Sequence, residues 1–166
     1  MGCVGQPSIE DDITYRRRQI IEGSMFEDFV YMQLEEKLKV SIEGCNTREE
    51  QFSIGENYFG MEIKHDTLHE KTGNLFIEYK EKSISTNENW VESGIFRGDN
   101  SWLYLTGNNK VFYIFSIKDL RGAFHIADEH GEPKHSRVMS IRKTSWGFLL
   151  KGQEEINRYV LKTLIL

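Results

Sequence analysis

Apolar and polar residues alternate or recur with enough regularity to divide the chain into elements. Residues 13–39 read as one long helix or two short ones. Ile20, Val30, Tyr31 and Leu34 recur at helical spacing, and Gly23 interrupts the run. Glu27 falls on the same stripe, seven residues after Ile20 and three before Val30. A carboxylate there is costly to bury without a partner, which marks Glu27 as a residue needing a reason. Residues 44–55 read as a connection. Residues 57–65 alternate as a strand, with Phe59, Met61 and Ile63 on one face and Glu62 and Lys64 on the other. Residues 75–82 alternate again: Leu75, Ile77 and Tyr79 point one way, Phe76, Glu78 and Lys80 the other.

Beyond a polar stretch, with a helical turn expected over residues 90–95, comes a hairpin. Its strands span residues 102–106 and 111–117 and flank a Gly107-Asn108-Asn109 turn. Residues 118–128 read as a short helix, and 138–141 and 148–150 as late strands. Residues 153–164 read as a closing helix, with Ile156, Tyr159, Val160 and Leu164 as its apolar stripe. The order predicts a mixed α/β (α+β) protein.

Composition narrows the class. The 166 residues suit one domain, and 39% hydrophobic content can build a real core. Residues 1–12, polar and acidic, read as a flexible tail with no secretory signal, and Met1-Gly2-Cys3 gives only a faint acylation cue. No apolar run approaches the roughly 20 residues of a membrane span. Two cysteines, one in the tail, argue against a disulfide framework and point to a reducing, cytoplasmic setting. The net charge of −5 argues against a passive nucleic-acid coat. Any phosphate-binding surface must then be a patch. The candidates are Arg16, Arg17 and Arg18; Lys80 and Lys82; and Lys134, Arg137, Arg142 and Lys143, each of which also reads as a solvated face.

The chemistry suggested by spacing lies at residues 66–80. Asp66 ends one strand, and Glu78 and Lys80 sit two apart on the next, so a hairpin would bring two carboxylates and an ammonium together. Hard oxygen ligands of this kind hold Mg²⁺ or Mn²⁺, which activates water and stabilises charge on a phosphate, while a lysine supports the developing negative charge. In this reading Asp66 and Glu78 are metal ligands, the carbonyl of Tyr79 is a third, Lys80 is the catalytic amine, and Lys82 and Ser93 contact substrate, with Ser93 reading first as a helix cap. Alone, D…E-x-K is a weak signal, and Glu62-Ile63-Lys64 is a second E-x-K. The later one is preferred because no aspartate lies between Asp28 and Asp66. Glu62 and Lys64 are then supporting residues on the Asp66 face. His125, His130 and His135 step by five, which aligns on no helix face, and no cysteine is near, so they read as loop rather than zinc ligands. Trp90, Trp102 and Trp146 read as core aromatics before base-stacking ones.

These segments carry a resemblance. Residues 60–66 (GMEIKHD) followed by 73–80 (GNLFIEYK) resemble the PD-(D/E)XK nuclease superfamily, and residues 23–30 (GSMFEDFV) are similar to its first helix, where an acidic residue completes the site. Residues 93–95, 100–105 and 112–115 resemble the helix and strands that finish its core. The match spans residues 23–120. His65 stands where the motif has proline, and the connection at residues 39–56 is long. The resemblance implies a restriction endonuclease-like core with a central four- to five-stranded mixed sheet flanked by helices. It also implies Glu27 as a further metal ligand and Mg²⁺- or Mn²⁺-dependent endonuclease action on DNA. Restriction enzymes, phage and archaeal Holliday junction resolvases and repair nucleases belong to that superfamily. A homodimer would set two such sites across a duplex or junction. The rival readings are a non-catalytic nuclease-fold module that binds nucleic acid or a protein partner, and an ordinary α+β domain with a solvated charged face.

Overall fold

The computed structural model describes residues 9–45, 47–129, 139–141 and 144–166. The chain opens with the long helix α1 (Ile9–Leu38), which already includes residues 9–12 of the expected tail. Its buried stripe is Phe26, Val30 and Leu34, one turn apart, whereas Ile20 is 60% exposed. The predicted stripe therefore holds only in the second half of the helix, where it meets the body. The connection that follows contains a short helix, α2 (Arg48–Ser53), started by a reciprocal capping box between Thr47 and Glu50.

Two four-stranded sheets make up the body. The first has β1 (Met61–His65), β4 (Leu103–Gly107), β5 (Val111–Ser116) and β8 (Val160–Ile165) in that order. In it β1 and β4 run parallel and the other pairs antiparallel. The second, all antiparallel, has the order β3 (Val91–Glu92), β2 (Leu75–Glu81), β7 (Ser145–Leu150), β6 (Met139–Ile141). Period-two alternation sorts the first sheet's side chains. Met61, Ile63, Leu103, Leu105, Phe112, Ile114 and Leu164 pack with α1. Tyr104, Tyr113 and Phe115 point the other way and join Leu75, Ile77, Tyr79, Phe148 and Leu150 of the second sheet. Leu120 of α4 (Ile117–Glu129) and Ile156 of α5 (Gly152–Tyr159) complete that second core.

The mixed α/β class and a four-stranded mixed sheet thus agree with the sequence. The flanks differ: α1 covers one face, and the second sheet, rather than a helix layer alone, shares the core on the other. The hairpin expected between residues 57–65 and 75–82 is also absent. Residues 75–79 of β2 are buried on both faces, which suits a strand inside a sheet, and β2 lies between β3 and β7. Joining the two strands, α3 (His69–Thr72) ends on a left-handed Gly73 and redirects the chain. The closing helix stops at Tyr159. Val160 is already extended, and residues 160–165 pair with β5 instead. Residues 90–95 form β3 and one 3-10 turn (Gly94–Phe96). His130, His135, Lys134, Arg137, Arg142 and Lys143 lie outside the described residues.

The 3-10 turn sits directly on β2. Gly94 has φ +49, and a Cβ there would fall on the carbonyl oxygen of Glu78 and 3.1 Å from its Cβ. Both the conformation and the contact therefore require glycine. Gly94→Ala is expected to destabilise the fold by about 2 kcal/mol or more, read as a lower urea midpoint, whereas Gly98→Ala, with open space at its Cβ, is expected to shift it little.

Candidate functional site at the Lys64 carboxylate cluster

Alternation along β1 sends Met61 and Ile63 to α1 and Glu62 and Lys64 to the opposite face, where β2 crosses. The Lys64 ammonium lies 2.8 Å from Glu62 Oε1, 3.4 Å from Glu78 Oε1 and 4.0 Å from Glu56 Oε1. Arg97, just after the 3-10 turn, closes the other side, with Nη1 3.1 Å from Glu56 and 3.5 Å from Glu62, and Nε 2.9 Å from Asp99. Glu62 is wholly buried. Ser93, the cap of the 3-10 turn, donates to Glu78 Oε1 at 2.7 Å. The Ile63 N–H donates to Glu56 Oε2 at 3.2 Å. The Tyr104 hydroxyl accepts from the Glu78 N–H at 3.2 Å.

This cluster opens into a cleft of about 720 Å³. Tyr15, Arg16 and Gln19 of α1 and residues 82–85 form parts of its wall, and Arg16 donates to the Ser83 carbonyl. Glu27 lines the same cleft from α1. Thr106, the register partner of Lys64 on β4, also lines it. The Thr106 hydroxyl is buried and has no hydrogen-bond partner among the described residues.

Burial and charge shortage act together on the acids. Burial pushes Glu62 up to about 8, aided by the neighbouring Glu56 carboxylate and opposed by Lys64 and Arg97. Burial raises Glu56 as well, against Lys64, and it raises Glu27, again against Lys64. Burial would raise Glu78 too, but the Lys64 ammonium and the Ser145 and Ser93 hydroxyls outweigh it and hold its pKa below the ordinary value. For Lys64, burial acts downward and is overcome by Glu62, Glu78 and Glu56, which hold the ammonium well above its usual range.

The residues singled out by sequence divide between this centre and other places. Glu27, Asp66, Glu78 and Lys82 line the cleft. Asp66 is almost fully buried, and its two carboxylate oxygens accept main-chain N–H groups, from Leu68 at 3.2 Å and Phe76 at 2.8 Å. It thereby ties the end of β1 to the start of β2. Lys80 does not join Glu78. The register of β2 on β7 shifts between Glu78 and Lys80, so the two-residue period breaks at Tyr79. The Lys80 ammonium stands instead 5.8 Å from the centre of the Trp146 ring. Tyr79 points into the core, and its carbonyl accepts the Ser93 N–H at 3.1 Å, so that carbonyl serves the fold. Ser93 is buried behind Glu78 and is its hydrogen-bond partner. Lys82 lies over the Trp90 ring at 4.8 Å at the rim of the cleft. The Trp90 and Trp146 rings meet at a tilt of 41° with centroids 4.8 Å apart.

Sequence reasoning placed Glu62 and Lys64 in support and passed over Glu56, Arg97 and Thr106. The available signal was two ionisable side chains on one face of a strand whose other face is apolar. Among the described residues, no three carboxylate, imidazole or thiol groups stand at metal-holding spacing. The Lys64 ammonium occupies the point on which Glu62 and Glu78 converge. Among the described residues no helix is long and apolar enough to cross a membrane. No protein family, curated protein or solved structure matches the chain.

The raised carboxylates give a signed pH dependence. A carboxyl that keeps its proton in the folded state stabilises the fold below its unfolded pKa, and that stability is lost as pH rises through the folded value. For Glu62 the window runs from the ordinary carboxylate value of 4.5 to about 8. His65, lowered by burial, acts with the opposite sign, but only below its ordinary 6.5. Between pH 6.5 and 8 the unfolding free energy is therefore expected to fall by up to about 1 kcal/mol per pH unit. Urea titrations should show this slope flattened in Glu62→Gln, and a slope of the other sign in the wild type would overturn the assignment.

Proposed function

We propose that the chain is a divalent-metal-dependent endonuclease acting on DNA, with its working centre at Lys64, Glu62, Glu78 and Glu27 rather than at Asp66, Glu78 and Lys80. One observation carries the reading: carboxylates from two different sheets, Glu62 and Glu78, meet on the Lys64 ammonium, and Lys64 and Glu78 line a cleft large enough for a nucleotide segment. The four-stranded mixed sheet, with the acidic helix α1 on one face, is read here as the restriction endonuclease-like core.

The donor chemistry fits Mg²⁺ or Mn²⁺. All the donors are hard carboxylate oxygens. Four carboxyl groups, Glu27, Glu56, Glu62 and Glu78, stand near two cations, Lys64 and Arg97, and burial keeps the proton on Glu62 up to about pH 8. Glu27 and Glu78, whose side chains line the cleft, are the carboxylates that would receive a cation, which would polarise a phosphate and lower the pKa of bound water. Lys64 then supports negative charge developing on the phosphate. Arg97 keeps Glu56 and Glu62 in place. Arg16 and Lys82 at the rim supply positive charge to a phosphate backbone. The Thr106 hydroxyl is a spare hydrogen-bonding group beside Lys64.

A second reading, a nuclease-fold module that binds without cutting, draws on the self-contained pairing of Lys64 with its carboxylates. One assay separates the two. Linear duplex, single-stranded and four-way-junction DNA would be incubated with Mg²⁺ or Mn²⁺. Cutting is expected to fall by about 100-fold or more in Lys64→Ala and Glu78→Gln and to stay within about threefold of wild type in Lys80→Ala. Melting curves confirm that each variant is folded. Loss in Lys80→Ala with activity kept in Lys64→Ala would return the centre to Asp66, Glu78 and Lys80. Binding of DNA without cutting by the folded wild type would select the non-catalytic module.

A further inference from the structure

Helix α1 has two opposite faces. Phe26, Val30 and Leu34 hold one face to the first sheet, and Arg16, Gly23 and Glu27 of that same side line the cleft. On the far side, positions 14, 18, 21, 25, 28 and 32 advance by four and three, so they keep to one stripe. They are Thr14, Arg18, Ile21, Met25, Asp28 and Met32, and every one is exposed. Ile21 is 60%, Met25 68% and Met32 55% exposed. From Thr14 to Met25 no described side chain of the helix is buried. A helical segment of that length is marginal in water without packing, because the cost of fixing its backbone outweighs its own hydrogen bonds.

We infer that this stripe pairs with the same stripe of a second copy of the chain, antiparallel, about a two-fold axis level with Gly23. The order of residues is self-complementary about that position. Ile21 of one copy meets Met25 of the other, and Met25 meets Ile21. One turn further out on each side, Arg18 meets Asp28. At the ends, Thr14 meets Met32. An apolar centre is thus bracketed by two symmetric ion pairs, as an isologous contact requires. The charges also exclude the alternative geometry. A parallel pair in register would set Arg18 on Arg18 and Asp28 on Asp28, which repels at both ends. Arg18 already reaches along its own helix toward Glu22, at 4.0 Å, so its guanidinium lies on the surface ready to be shared. Because the cleft lies on the opposite side of α1, two copies joined this way leave both clefts open. This inference stands on the helix surface alone and does not depend on the proposed chemistry.

Sedimentation velocity and light scattering on the full chain test it. The wild type is expected to be a dimer that dissociates on dilution. Arg18→Asp alone and Asp28→Arg alone are each expected to weaken dimerisation by about tenfold or more, because each sets like charges together at both ends. The doubly exchanged Arg18→Asp/Asp28→Arg chain is expected to recover it. Met25→Glu, which places a charge at the apolar centre, should give a monomer. All three positions are exposed, so circular dichroism and melting should remain near wild type. A wild type that is monomeric at every concentration overturns the inference. So does a dimer indifferent to all of these changes, or a double exchange that fails to recover. DNA cleavage by the monomeric Met25→Glu chain would leave the nuclease reading intact while this one is tested separately.

Discussion

The Lys64 ammonium is the interaction on which the centre of this molecule depends. It is largely buried, and an ammonium taken from water must be paired. Its partners come from its own strand (Glu62), from the strand of the opposing sheet (Glu78) and from the segment entering β1 (Glu56). The pairing therefore fixes more than a side chain. Through Glu78 it reaches Ser93 and the 3-10 turn. Through Glu56 and Glu62 it reaches Arg97, whose guanidinium also meets Asp99 and the Gln51 carbonyl of α2. Removing the lysine would leave several buried carboxylates facing one another, which is the costly side of the balance.

The same pairing explains why the two sheets pass close to each other where they do. Apolar packing holds β2 against β4 and β5, through Ile77, Tyr104 and Phe115. That contact is non-directional and does not set where β2 ends against β1. Directional bonds do: the Glu78 N–H to the Tyr104 hydroxyl, and the Phe76 N–H to Asp66. Asp66 is thus as important to the placement of β2 as a hairpin turn would have been. Whatever chemistry the cleft performs, Asp66 positions the strand that carries Glu78.

Local pattern made some of this legible and hid the rest. The β4–β5 hairpin could be read because both strands alternate cleanly around a Gly-Asn-Asn turn. Strand β8 could not. Ile156, Tyr159, Val160 and Leu164 satisfy a helical period, and only the open edge of β5, distant in sequence, draws residues 160–165 into a strand. The expected meeting of Lys80 with Glu78 was lost for a related reason. Glu27 and Glu78 were legible as acids in odd or strand-facing places. Placing Lys80 beside Glu78 assumed an unbroken two-residue period, and the bulge against Gly147 and Trp146 breaks it. A bulge depends on the partner strand, so the sequence around Tyr79 does not announce it. Glu62 and Lys64 carried the correct alternation all along. What the local pattern could not supply was that their face meets Glu78.

Helix α1 links the cleft to the outer surface. Its second half is anchored by Phe26, Val30 and Leu34, while its first half stands at the wall of the cleft with Tyr15, Arg16 and Gln19. A rigid helix passes order from one end to the other, because each residue's backbone is bonded to the next turn. Anything that steadies the outer stripe around Ile21 and Met25 therefore also steadies the cleft wall one side chain away. Glu27 sits at the junction, one residue from the buried Phe26 and one from the exposed Asp28. The acid that sequence reasoning found misplaced on an apolar stripe is the point where the anchored face, the cleft and the outward face of the helix come together.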